Sequence, residues 1–242
     1  MKNLFKRMRV FIQKVCSKIS AMLLEFADSR KDRRICGRSL VKYVRSVDRD
    51  DQNGLGGTGS QSTHYIFLKR IFSHVRITES DTFIDVGCGK GRVLAFLLHS
   101  KCPCAIYGIE HNEKVGRIAV EWTQRYPQAS VIIGDAFEQD YNNYTILSLA
   151  RSFLPVTFLR FVEKLENTLT HPITLVYWYE SESGHLLRSR PGWSMQFREV
   201  VGRIHGLRIS RYPQSYSIWT YDPAQHGEIE KDREESGGKA RR

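Results

Sequence analysis

Phe83-Ile84-Asp85-Val86-Gly87-Cys88-Gly89-Lys90-Gly91-Arg92 is the stretch that decides how the rest of the chain is read. Phe83 to Val86, apolar except for Asp85, read as a short buried strand. Three glycines follow within five residues, and an apolar helical run begins at Val93. Strand, glycine turn and helix in that order form a cradle for a cofactor. Glycine lets the backbone approach a ligand closely and take a positive φ without steric cost.

Strands and helices alternate outward from this unit. Residues 82–86 read as the first strand and 92–100 as a helix. A second strand spans 105–110, followed by a helix over 113–126 that Asn112 caps and Pro127 ends. Further strands are expected at 130–133, 144–149 and 173–179, with a helix at 158–169. Two last strands, 197–204 and 207–221, are joined by a tight turn at His205-Gly206. The expected fold class is α/β: a Rossmann-like, seven-stranded, mainly parallel sheet with an antiparallel C-terminal hairpin. Helices should cover both faces, and an N-terminal helical arm precedes the domain. Tyr212, Tyr216, Trp219 and Tyr221 alternate within the last strand, a pattern that favours sheet packing over base stacking.

Charge divides the chain. Of its 37 Lys/Arg and 26 Asp/Glu, residues 1–49 hold 14 and 4, a net of +10. The remaining 193 residues hold 23 basic and 22 acidic groups, a net of +1. The core is thus nearly neutral and gives no indication of nucleic-acid binding, while the arm suits an anionic surface. Three regions follow: a basic amphipathic helical arm (1–49), a main domain (50–225) with a glycine-rich lid (50–62), and a polar tail (226–242) expected to be disordered.

Within the arm, Leu4, Phe5, Met8, Phe11, Ile12, Val15, Ile19, Met22, Leu23 and Phe26 recur at steps of three and four, which places them on one helical face. The helix would lie in the plane of an anionic membrane, or pack on the main domain or a second subunit. Residues 28–34 read as a charged connector, and 35–47 as a second basic helix. No apolar run reaches the ~20 residues of a membrane span. The first 20 positions lack a secretory apolar region. Five cysteines without repeating spacing imply reduced thiols and no metal site. The expected setting is cytoplasmic, with the arm as a peripheral contact at the inner face of a membrane.

The cofactor class follows from acids at successive strand ends. Asp85 precedes the glycines, Glu110 ends the second strand and Asp135 follows the third. A dinucleotide site needs Gly-x-Gly-x-x-Gly, so that a helix N-terminus meets the pyrophosphate. Here the spacing is Gly87-x-Gly89-x-Gly91, and Asp85 would repel a pyrophosphate but suits an ammonium or sulfonium group. Glu110 is placed to accept from ribose hydroxyls, and Asp135 from an adenine amine. S-adenosylmethionine (SAM) fits this set better than NAD.

The run Asp85-Val-Gly-Cys-Gly-Lys-Gly91 resembles the first motif of class I SAM-dependent methyltransferases. The resemblance implies that Asp85, Gly87, Cys88, Gly89 and Gly91 line the cofactor, that Glu110 binds ribose, and that Asp135 and Ala136 lie at the adenine. It also matches Gly59-Ser-Gln-Ser-Thr-His-Tyr65 to a segment covering the cofactor, with Thr63 and Tyr65 as contacts. One element departs from the family. Leu149-Ala-Arg-Ser-Phe-Leu-Pro155 stands where many amine methyltransferases carry an Asn-Pro element, so O-methylation or a base from elsewhere stays open, with Phe153 as an aromatic wall.

Methyl transfer from a sulfonium needs mainly alignment, and an oxygen nucleophile would add a general base. Tyr177, Tyr179, Glu180, Glu182, His185 and His205 are near enough in sequence to be considered, but the catalytic residue and the methyl acceptor stay unassigned. The expected function is methyl transfer from SAM. The rival readings are an inactive SAM- or nucleotide-binding regulatory module and a nicotinamide oxidoreductase.

Overall fold

The computed structural model describes residues 2–44, 59–202 and 214–225; in the first helix, side chains are described for Met8 and from Lys18 onward. The lid residues 50–58, the turn at His205-Gly206, Tyr212 and the tail 226–242 lie outside the described residues. Seven strands form one sheet in the order β3-β2-β1-β4-β5-β7-β6. β1 (Thr82–Val86) lies at the centre of the parallel part, between β2 (Ala105–Glu110) and β4 (Ile146–Ala150), parallel to both. β3 (Ala129–Ile133) and β5 (Ile173–Trp178) extend the parallel part on either side. β7 (Gln214–Tyr221) and β6 (Trp193–Val201) complete it antiparallel. Strand order reverses between β1 and β4, so a crevice opens there at the carboxyl ends.

Alternating residues of each central strand feed two cores. Phe83, Ile106, Ile146 and Trp178 pack against α2 (Tyr65–Phe72), α3 (Arg92–His99) and Trp122 of α4 (Glu113–Thr123). Ile84, Leu147, Leu149 and Tyr177 face α5 (Pro155–Thr168). Burial on both faces accounts for the near-continuous apolar strands. The helix boundaries are chemical. Asn112 caps α4 by accepting from Val115 N at 3.2 Å, and Pro155 opens α5, where a missing N–H costs nothing. Tyr216, Trp219 and Tyr221 are buried, as expected of sheet packing.

Two expectations are corrected. The arm is one helix, α1 (Lys2–Cys36), so the charged connector at 28–34 is its last turns. The two acids there, Asp28 and Asp32, are held by ion pairs with Arg92 of α3. The expected second helix is not formed over 37–44. That segment turns at Gly37 (φ +74) and continues through bends to Val44, which exchanges backbone hydrogen bonds with Ser60 at 2.8 and 3.1 Å. As expected, helices cover both faces of the sheet, the second face carrying α5. A short 3-10 turn at Tyr141–Asn143 connects β3 to β4, and aromatics (Tyr107, Phe137, Tyr141, Tyr144, Phe153) fill the space.

Candidate functional site

The glycine turn is bent at all three of its glycines, with φ of +74 at Gly87, +58 at Gly89 and +84 at Gly91. It is pinned to the neighbouring strand: Gly87 N and Cys88 N both donate to Ile109 O, at 2.8 and 2.9 Å. A Cβ at Gly89 would stand 2.7 Å from Ser60 Oγ, and one at Gly87 would strike the side chain of Ser152. Ser152 is itself fixed, since its Oγ donates to Val86 O at 2.6 Å. Gly91 serves packing instead, because a Cβ there would lie 2.8 Å from Trp122 Cζ2. Lys90 is buried, with Nζ donating to Lys42 O, and burial lowers its pKa to about 8.

Two of the three acids share the crevice. Asp85 lies in register with Gly108 on one side and Ser148 on the other. It is 3% exposed. Burial pushes its carboxyl up to about 7, the Ser148 hydroxyl opposes that shift, and the charge of Glu110 adds to it. Glu110 holds the turn in place, its two oxygens accepting from Gly89 N at 2.8 Å and from Asn112 N at 2.9 Å. Burial raises its pKa too. Cys88 fits because Gly108 has no side chain; a Cβ there would meet its sulfur at 2.8 Å. Asp135 stands beyond β3, accepting from Phe137 N at 2.8 Å, beside the buried Ala136. A buried carboxylate with a raised pKa and a backbone turn with no room for side chains fit a ligand that is cationic at one end and rich in hydroxyls.

Tyr65 takes a different place from the one expected. Its ring is buried between α1 and α3 and its hydroxyl donates to Asp32 at 2.9 Å, so it belongs to a polar cluster that holds α1. Arg92, the first residue of α3, is the centre of that cluster. Its guanidinium donates to Asp32 Oδ2 at 2.7 Å, to Asp28 Oδ2 at 3.3 Å, and to the backbone oxygens of Ser62 and Thr63 at 3.3 and 3.4 Å. Thr63 is therefore tied to the motif helix through its carbonyl. Asp28 also meets His64 Nδ1 at 2.7 Å, and Asp32 accepts from Leu40 N at 2.8 Å.

At the ends of β4 and β5, two non-glycine residues, Arg151 and Tyr179, adopt φ of +52 and +60. Such strain persists only where the surroundings enforce it. Of the acids considered for catalysis, Glu182 accepts from Arg151 at 2.8 Å and the buried Glu180 accepts from Arg198 at 2.8 Å. Tyr177 is a core residue stacked on Phe158, with ring centroids 4.8 Å apart, and burial pushes its pKa up to about 12. Phe153 packs on Phe137 and Phe161. Among the described residues no group of His, Cys, Asp or Glu could hold a metal ion.

Sequence reasoning passed over Ser60, Ser148, Ser152, Asp28 and Asp32. The serines carry no pattern that a sequence displays. Asp28 and Asp32 do, being two acids one helical turn apart in a strongly basic arm.

Comparison with known proteins agrees with this architecture. The family model of the histone methylation protein DOT1 matches residues 60–146, which span β1, the glycine turn, β2 and β3. The probable ribosomal RNA small subunit methyltransferase A of Methanococcus maripaludis strain C6 is 27% identical over 119 residues, 47% of this chain and 43% of that protein. Its counterpart in strain S2 is equally similar, over 42% of its length. The chain thus spans less than half of the curated relatives it matches. Among solved structures, an RNA methyltransferase from Salinibacter ruber in complex with S-adenosyl-L-homocysteine superposes with a TM-score of 0.51 at 19% identity, covering 66% of this chain and 94% of that one. TrmN from Thermus thermophilus gives 0.51 at 11% identity, over 66% and 49%. A SAM-dependent O-methyltransferase from Thermotoga maritima gives 0.50 at 16%, over 67% of each chain. In its sheet order and its glycine motif the chain is similar to the class I SAM-dependent methyltransferases.

Proposed function

We propose that this chain binds SAM at the carboxyl ends of β1 and β2, beside the crevice, and transfers its methyl group to an acceptor. The observation that carries the reading is the carboxylate of Glu110 bridging Gly89 N and Asn112 N beside the buried Asp85. Glu110 keeps lone pairs for ribose hydroxyls, Asp85 provides negative charge for the cationic end of the ligand, and Asp135 an acceptor for an adenine amine. Thr63 and Ala136 would complete the lining of that site. Bound there, SAM would supply an activated methyl group. The residues of this chain would fix its position and exclude water, which is most of what this reaction asks of a protein. Ser152 and the strained Arg151 and Tyr179 stand at adjacent strand ends, where the acceptor would enter. The three regions, arm 1–49, domain 50–225 and tail 226–242, belong to the same proposal.

Calorimetry with SAM and with NAD tests the cofactor. Micromolar SAM binding that Gly87→Ala abolishes is expected; NAD binding without a response to SAM would overturn the reading. A radiolabelled-methyl assay on fractionated extract then identifies the acceptor. RNA is the first fraction to try, because the curated relatives are named as ribosomal RNA methyltransferases.

A further inference from the structure

α1 presents two faces with opposite fates. Near its C-terminal end, Asp28, Asp32, Ile35 and Cys36 are buried against the domain. Roughly opposite, at 100° per residue, Ile19, Met22, Leu23 and Phe26 form a stripe at i, i+3, i+4 and i+7 that is 52, 69, 64 and 66% exposed. Met8, on the same face, is 51% exposed. A docked helix ordinarily turns such a stripe inward. Here the docking contacts are polar and point the apolar side away.

We propose that this stripe is a membrane-binding surface that lies on an anionic bilayer. Charge selects the occupant. Exposed Lys18 lies one turn before Met22, and exposed Arg30 and Arg33 continue the stripe one and two turns beyond Phe26. Of the four acids among residues 1–49, Asp28 and Asp32 are engaged by Arg92, so they do not offset the exposed cations. Apolar side chains bracketed by cations match acyl chains beneath anionic headgroups. A second copy could cover the stripe but would bring two strongly basic arms together. RNA could meet the cations but would leave Met22, Leu23 and Phe26 in water. No helix among the described residues is long and apolar enough to cross a membrane, so α1 lies on the surface. The inference is independent of methyl transfer, and its test uses no cofactor.

The full-length protein is sedimented with vesicles of phosphatidylcholine alone, and with about one third phosphatidylglycerol. The wild type is expected to bind the anionic vesicles at least about tenfold more strongly, with binding reduced by high salt. Met22→Glu/Phe26→Glu and Arg30→Glu/Arg33→Glu should each lose about tenfold. Both should keep the wild-type melting temperature, since these side chains are exposed. Sedimentation of the two variants equal to wild type would overturn the proposal, as would failure of the wild type to bind. In the latter case, a dimer by light scattering that Met22→Glu/Phe26→Glu dissociates assigns the stripe to a second copy, and retention of RNA assigns the arm to nucleic acid.

Discussion

Arg92 Nη2 lies 2.7 Å from Asp32 Oδ2, with both side chains buried, and this pair joins the first turn of the motif helix α3 to the last turns of the N-terminal helix α1. Asp28, Tyr65 and the carbonyls of Ser62 and Thr63 complete the shell around the two charges. Removing one member of a buried pair leaves the other without compensation, at a cost of about 3–5 kcal/mol. Arg92→Ala should therefore destabilise the protein by that amount in urea melts. Arg92→Lys should recover only part, because an ammonium cannot serve two carboxylates and two carbonyls with a planar fork. A loss below about 1 kcal/mol for Arg92→Ala would mean that α1 is not held by this pair.

Gly89 faces two constraints that can be separated. Its φ of +58 disfavours a side chain, and a Cβ would stand 2.7 Å from Ser60 Oγ. Gly89→Ala should weaken SAM binding at least about tenfold, given ~1–2 kcal/mol for the conformation alone plus the clash. Adding Ser60→Ala removes the oxygen and should restore part of the affinity. Calorimetry on the single and double variants checks this; no recovery would show that conformation alone decides the loss.

Asp85 predicts a pH dependence of definite sign. Its folded pKa of about 7 lies above the ordinary carboxylate value, so the folded state holds a proton that the unfolded chain has released. The associated stability is full below about pH 4, declines as pH rises toward 7, and is lost above that. Asp85→Asn should hence be more stable than wild type at pH 8, by a few kcal/mol on the order of the shift, with the gap closing toward pH 4. Binding runs the other way. A cation beside Asp85 favours its ionised form, so wild-type affinity for SAM should rise between pH 6 and 8, whereas Asp85→Asn binds weakly at every pH. Thermal melts and calorimetry across this range read both effects.

Lys101 offers a stabilising change remote from the site. Cys102 N donates to Leu97 O and Lys101 N to Leu98 O, at 2.9 and 3.1 Å, the pattern that ends a helix with a left-handed residue. Lys101 holds that place with φ +56. Lys101→Gly should raise stability by about 1 kcal/mol without altering SAM affinity. An unchanged or lower urea midpoint would contradict this.

How much of this was legible in the sequence depends on the range of the interaction. The β1 motif, the cap at Asn112 and the alternation of strands and helices are local patterns, and the fold follows from them, although α4 ends at Thr123, short of the expected 126. Ser148 beside Asp85 and Ser152 over Gly87 are brought there by strand register and by the β4 loop, which leave no spacing to read. The end of α1 was misread as a connector because Asp28 and Asp32 look like solvated charges until Arg92, sixty residues away, is placed between them. Tyr65 was drawn into the same cluster for the same reason.

The antiparallel bridge of Val44 to Ser60 also bears on how such a domain can vary. Whatever lies between these two residues leaves and returns at one hydrogen-bonded clasp, and Ser60 rests against Gly89. Closure entropy grows only with the logarithm of loop length, about 0.6 kcal/mol per doubling. The clasp thus holds Ser60 against the glycine turn at a closure cost that depends only weakly on how many residues separate it from Val44.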